Sequence, residues 1–144
     1  MKMKFSEKEI PVLASKILNK ILNNKNEGAS VLALHGDLGA GKTTLTKEIA
    51  KQFRIKEKII SPTFVIMKIY KINLNCKFKK LIHIDAYRLD SHSDLLNIGW
   101  DKIIKDKDNL IILEWPEKVK KLILKDFIKV EILHIDEKNR MIHF

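Results

Sequence analysis

A three-layer α/β domain with a mostly parallel sheet is the fold class this sequence predicts, and three patterns predict it. Apolar runs at residues 31–35 and 110–113 suit strands covered on both faces. Segments of helical periodicity lie on either side of the first run, at residues 10–22 and 43–53. A β-branched and aromatic stretch around Asn73-Leu74-Asn75 reads as a hairpin inserted between the two runs. Strands alternating with helices in this way stack helices on both faces of a sheet.

Taken in order, Ser6-Glu7-Lys8-Glu9 fits a capping box, the serine oxygen accepting an orphan backbone N–H while Glu9 reaches back. Apolar residues follow at Ile10, Leu13, Ala14, Ile17, Leu18, Ile21 and Leu22, a stripe of period 3.6. Pro11 falls early, where few hydrogen bonds are lost, and the Asn-rich stretch to Gly28 ends the helix. A strand over 31–35 leads into a helix over 43–53. Pro62 in Ser61-Pro62-Thr63-Phe64 marks a loop before the run to Ile72, and the hairpin returns as a strand over 78–85. Polar residues from Asp90 to Asp94 open a short helical region ending near Gly99. The run at 110–113 is a central strand. Residues 127–135 and 140–144 close the chain as antiparallel strands around Asp136-Glu137-Lys138-Asn139. Residues 1–144 are expected to form one domain. Tyr70 and Cys76 are expected to pack on or cover the hairpin.

Composition excludes several classes. Cys76 alone cannot build a disulfide framework, and no Cys/His cluster has zinc-ligand spacing. No apolar run approaches the ~18 residues of a membrane span. The basic start, Met1-Lys2-Met3-Lys4-Phe5, lacks the apolar stretch of a secretory signal. A cytoplasmic, reducing location without membrane association is expected. Lys and Arg total 28 against 18 Asp and Glu, a net charge of +10. Such a balance suits either a phosphate-rich or acidic partner or a solvated lysine surface. Only Arg54, Arg88 and Arg140 are arginines, the residue that reads phosphate bidentately, so the charge alone decides nothing.

The loop between the first apolar strand and its helix is more specific. Gly36-Asp37-Leu38-Gly39-Ala40-Gly41-Lys42-Thr43 satisfies G-x-x-x-x-G-K-[ST]. Glycines let backbone N–H groups turn inward around phosphate oxygens, and the following helix adds its positive end. Lys42 can bridge β- and γ-phosphates, and the Thr43 hydroxyl can ligate Mg²⁺. The pattern predicts a P-loop nucleoside triphosphate hydrolase fold, with the hairpin inserted and the C-terminal strands antiparallel.

Such a loop requires an acidic residue at the end of a neighbouring strand. Glu114 ends a wholly apolar run, while Asp85 ends a run interrupted by His83. Glu114 is therefore the Mg²⁺ candidate, and Asp85 is placed nearer the γ-phosphate as a water-orienting group or general base. His83, lacking any cluster of ligands, is expected to be an ordinary strand residue with a satisfied ring. The guanine-reading segment Asn-Lys-x-Asp is missing, which points to adenine.

Four segments together resemble one family. They are the loop extended through Thr44-Leu45, Ser61-Pro62-Thr63-Phe64, His83-Ile84-Asp85-Ala86-Tyr87-Arg88-Leu89 and Glu114-Trp115-Pro116-Glu117. Their order and spacing resemble TsaE (YjeE), the P-loop ATPases of bacterial tRNA threonylcarbamoyladenosine biosynthesis, from about Ser6 to Glu117. The resemblance implies ATP held by Asp37, Leu38, Gly39, Ala40, Gly41, Lys42, Thr43 and Thr44, with Mg²⁺ on Thr43 and Glu114. It implies a switch-like loop carrying Thr63 near the γ-phosphate. Asp85, with Tyr87 and Arg88 beside it, would serve hydrolysis or its coupling. Trp115 would lie by the nucleotide pocket or a partner surface, and Ser6 or its neighbours would approach the adenine. Ile10 and Pro11 depart from the polar and small residues expected there, and Ala86 replaces a larger apolar residue. The implied partners are a TsaD-like transferase and a TsaB-like relative, with tRNA met through that complex. The implied activity is slow ATP hydrolysis that resets the assembly between turnovers. A small-molecule or nucleotide kinase and a nucleotide-gated binding module use the same loop and stand as alternatives.

Overall fold

The computed structural model describes residues 1–144. The chain runs β1 (Lys2–Ser6), a 3-10 turn (Glu7–Glu9), α1 (Ile10–Asn23), β2 (Ser30–His35), α2 (Lys42–Gln52), β3 (Met67–Lys71) and β4 (Lys80–Asp85). It continues through α3 (His92–Asn97), α4 (Trp100–Lys105), β5 (Asn109–Glu114), a 3-10 segment (Pro116–Leu122), β6 (Ile128–His134) and β7 (Asn139–His143). One seven-stranded sheet holds all the strands, in the order β1-β7-β6-β2-β5-β4-β3.

The middle of the sheet is parallel: β6, β2, β5 and β4 run the same way. Antiparallel pairs form both margins, β3 on β4 at one side and β6–β7–β1 at the other. The sheet adds two relations to the expected order. The two C-terminal strands pair antiparallel as expected, and β6, from Ile128, is in addition parallel to β2 and so joins the central set. The residues ahead of Ser6 form an edge strand, β1, which pairs with β7 from the far end of the sequence.

Every residue of β5 is buried, as are the first five of β2. Alternation sends Leu32, Leu34, Leu110 and Ile112 into one apolar cluster and Val31, Ile111 and Leu113 into another. The first cluster lies under α1 and α2. The second lies under α3, α4 and the 3-10 segment, with Trp100 and Phe127 as its large members. This double cover is why both strands tolerate no polar interruption. No helix is long and apolar enough to cross a membrane.

Helix α1 buries Ile10, Leu13, Ala14, Ile17, Leu18 and Ile21, whereas Leu22, the last member of the expected stripe, is exposed. Full burial of each Leu or Ile stabilises by about 1.5–3 kcal/mol, which outweighs one missing N–H in the first turn at Pro11. The Ser6–Glu9 capping box forms, but it caps the short 3-10 turn that precedes α1. The helical region expected up to Gly99 resumes beyond it: Gly99 takes φ +95 and α4 follows. Tyr70 is fully buried and Cys76 half-buried against the first cluster, as expected of hairpin residues.

Candidate functional site

The loop from Gly36 to Gly41 joins β2 to α2 at the carboxyl end of the parallel strands, where open α/β sheets place ligand sites. Two of its glycines are sterically required. A Cβ on Gly36 would stand 2.6 Å from the carbonyl oxygen of Ile132 on β6. Gly41, immediately before α2, has φ +107, a conformation that L side chains resist. Leu45 N–H then bonds back to the Gly41 carbonyl at 2.9 Å, starting the helix in the loop.

Lys42 is 95% shielded from solvent, at 5% relative exposure. Its ammonium donates to the carbonyls of Gly36 and Asp37, the latter at 3.0 Å, and lies 4.4 Å from the centroid of the Trp115 ring. Burial lowers its pKa below the usual lysine range, while Glu114, Asp85, Glu117 and Asp37 oppose that shift. Lys42 is thus a partly desolvated positive charge held within the loop.

Strand register brings the two acidic candidates together. Glu114 of β5 pairs with Leu34 of β2 on one side and with Asp85 of β4 on the other. Both carboxylates are buried, at 3% and 4% exposure. Glu114 Oε1 accepts from the Thr43 hydroxyl at 3.4 Å and meets His83 Nε2 at 2.8 Å. Asp85 divides its oxygens: Oδ2 accepts from the Thr63 hydroxyl and Oδ1 from the Tyr87 N–H, both at 2.9 Å. Ser61 Oγ shares a 2.8 Å hydrogen bond with Thr63 Oγ1. The Asp85 N–H donates to the carbonyl of Ile66, a β-branched residue held at φ +68. That backbone is strained for isoleucine, and it fastens the Thr63 loop to the carboxyl end of β4.

Aromatic residues form one wall. Trp115, at φ +57, follows Glu114 directly and packs its ring 4.9 Å from that of Tyr87. Arg88 lies elsewhere: its guanidinium stacks 4.5 Å over the ring of Phe64, which is 83% exposed. Arg88 thus rests on the Thr63-bearing loop in this structure.

On the other side of the loop opens a cavity of about 480 Å³. Ser6 lines it with Gly39, Ala40, Gly41 and Thr44, so the region expected near a base does adjoin the loop. Ile10 gives it an apolar wall in place of a polar residue, and Pro11 takes no part in the lining. Glu137 and Lys138 of the β6–β7 turn and Arg140 at the start of β7 also line it. Nothing in their local sequence marks them, because the sheet order alone carries that turn to the loop. Asp37 and Leu38 sit exposed at the loop tip.

His83 is the contributor whose sequence reading changes most. Its ring is satisfied at Nε2 only, and by Glu114; Nδ1 is buried without a partner. One signal was readable: period-two alternation puts His83 on the same face of its strand as Asp85.

A family model described as "Threonylcarbamoyl adenosine biosynthesis protein TsaE" matches residues 6–142. The chain belongs to the TsaE family. The tRNA threonylcarbamoyladenosine biosynthesis protein TsaE of Rickettsia typhi is 36% identical over 138 residues, covering 94% of this chain and 88% of its own. The protein of the same name from Bacillus subtilis is 33% identical over 114 residues, covering 79% and 68%. Among solved structures, that of Bacillus subtilis YdiB aligns with a TM-score of 0.68 at 25% identity, over 99% of this chain and 83% of that one. TsaE is a nucleotide-binding family, which agrees with the loop geometry, and membership assigns the chain to tRNA threonylcarbamoyladenosine biosynthesis.

Proposed function

We propose that this chain is a single-domain, Mg²⁺-dependent ATPase that drives threonylcarbamoylation of tRNA adenosine together with a TsaD-like transferase and a TsaB-like protein. The observation that carries the reading is the in-register pair Asp85 and Glu114 at the mouth of the phosphate-binding loop. In this reading the loop amides from Asp37 to Thr44 cradle the phosphates, Lys42 answers the charge on the β- and γ-oxygens, and the cavity beside Ser6 takes the adenine. Trp115 walls the phosphate side, and Arg88 reaches the phosphates once it leaves Phe64.

The side chains suit Mg²⁺. Thr43 Oγ1 and Glu114 Oε1 are adjacent hard oxygen donors, 3.4 Å apart. No three His, Cys, Asp or Glu side chains converge as a cluster, and a Mg²⁺ completed by substrate phosphate and water requires only one or two protein oxygens. When bound, the metal supplies neutralisation of charge on the β- and γ-oxygens.

Asp85 orients the attacking water. Each of its oxygens has one protein donor and keeps acceptor capacity for a water proton. The water oxygen bonds to the γ-phosphorus as the bond from that phosphorus to the β–γ bridging oxygen breaks, giving ADP and phosphate. No group passes to tRNA from this subunit. The exposed apolar residues Leu38, Phe64 and Val65 support a partner that covers the site, so tRNA is met through the complex. A tRNA-modifying role of this kind is cytoplasmic.

Reconstitution of the modifying system tests the proposal. Lys42→Ala and Glu114→Ala are each expected to lower modified tRNA by on the order of 100-fold or more. Full modification by both variants overturns it. Phosphate release measured with and without the partner proteins separates turnover from a binding switch: release only in the assembly supports a coupled ATPase, and none in either case favours the switch.

A further inference from the structure

We propose that His83 is a positioning residue for Glu114, holding its carboxylate in the orientation that receives the divalent cation. The inference rests on the reading of Glu114 as the metal-holding residue. His83 is wholly excluded from solvent and projects from β4, one strand away from Glu114 on β5. Its Nε2 stands 2.8 Å from Glu114 Oε1, the same oxygen that the Thr43 hydroxyl approaches.

The contact also has a direction. A carboxylate oxygen accepts, so Nε2 must carry the hydrogen. Nδ1 is buried without a partner, so the ring's one hydrogen bond is the one to Glu114. A free glutamate turns about three side-chain torsions, all of which must be ordered when a metal binds. The hydrogen bond from His83 removes that freedom beforehand, in the manner of outer partners that orient metal ligands. No other side chain supplies a donor to Glu114 besides Thr43, itself a proposed ligand.

The test measures the metal directly. Mn²⁺ is titrated into the protein saturated with a non-hydrolysable ATP analogue, and free Mn²⁺ is read by electron paramagnetic resonance. His83→Leu is expected to weaken Mn²⁺ binding about 10–100-fold. Affinity for the same analogue in EDTA should stay at the wild-type value, since no metal is involved. His83→Gln, whose amide nitrogen can donate from nearly the same place, should regain most of the loss. If His83→Leu fails to fold, His83→Asn, too short to reach Glu114, replaces it in the comparison. Wild-type Mn²⁺ affinity in the donor-less variant, equal loss in His83→Gln, or a matching loss in EDTA each overturns the proposal. Glu114→Gln, measured alongside, separates the two readings: if it binds Mn²⁺ as tightly as wild type, Glu114 is not the ligand and both fall. If Glu114→Gln alone loses binding, the metal reading stands and the role of His83 falls.

Discussion

Thr63 and Asp85 are 22 positions apart in the chain, yet a single 2.9 Å hydrogen bond joins them across the mouth of the site. This bond orients a buried carboxylate whose other oxygen is already fixed by the Tyr87 N–H. Asp85→Asn should lower the hydrolytic rate by about 10²–10⁴-fold while leaving nucleotide affinity nearly unchanged, a split that steady-state kinetics and a binding titration would reveal. Thr63→Val, which keeps shape but removes the donor, should fall between that variant and wild type. An equal loss of affinity in both would assign Asp85 to binding. Asp85 and Glu114 could be picked out from sequence because a carboxylate at the end of an apolar run is conspicuous. His83 could not be weighed in the same way, because its partner is defined by the pairing of β4 with β5. Arg88 was legible as a cation near the site, but its stacking on Phe64 depends on a loop conformation that no local pattern encodes.

The β6–β7 turn is gathered around the Asp136 side chain, with Arg140 donating to the Asp136 carbonyl as well. The Asp136 carboxylate accepts from the Asn139 side chain and from the N–H groups of Lys138 and Asn139, which holds its pKa below the ordinary 3.8. The folded state therefore binds a proton less readily than the unfolded chain. This contribution to stability is complete above the ordinary carboxylate range and disappears as pH falls through the lowered folded value. Asp136→Ala should melt earlier than wild type at neutral pH, and the gap should close in strongly acid buffer. A gap of constant size would mean that the charge is not what closes the turn. Glu9, bonded to the Ser6 N–H and hydroxyl, has its pKa lowered in the same direction and adds to the same acid lability. The turn itself was evident from its polar run, and α1 and α2 from their periodicity. Strand β1 was not, because five alternating residues acquire meaning only against β7, at the opposite end of the sequence. Helix α4 was hidden by Gly99, which looks like a terminator but turns the chain straight into another helix.

The layered architecture was readable because strands buried on two faces must be apolar along their whole length. Their lateral order was not, since it depends on crossovers and on which margins take antiparallel partners. That order leaves β1 and β3 as the two open edges of the sheet. Unpaired strand edges invite another chain to add on, and natural sheets guard against this with charge. Lys2 and Lys4 on β1, with Lys68 and Lys71 on β3, are all exposed. Replacing these four with threonine should leave nucleotide affinity intact and raise light scattering during refolding, whereas wild-type scattering should rise only when concentrated salt screens the charge. Unchanged scattering in the variant would remove edge protection from their role. Four of the lysines behind the +10 thus have a use that needs no nucleic acid: they set like charges along both edges, where identical molecules would meet.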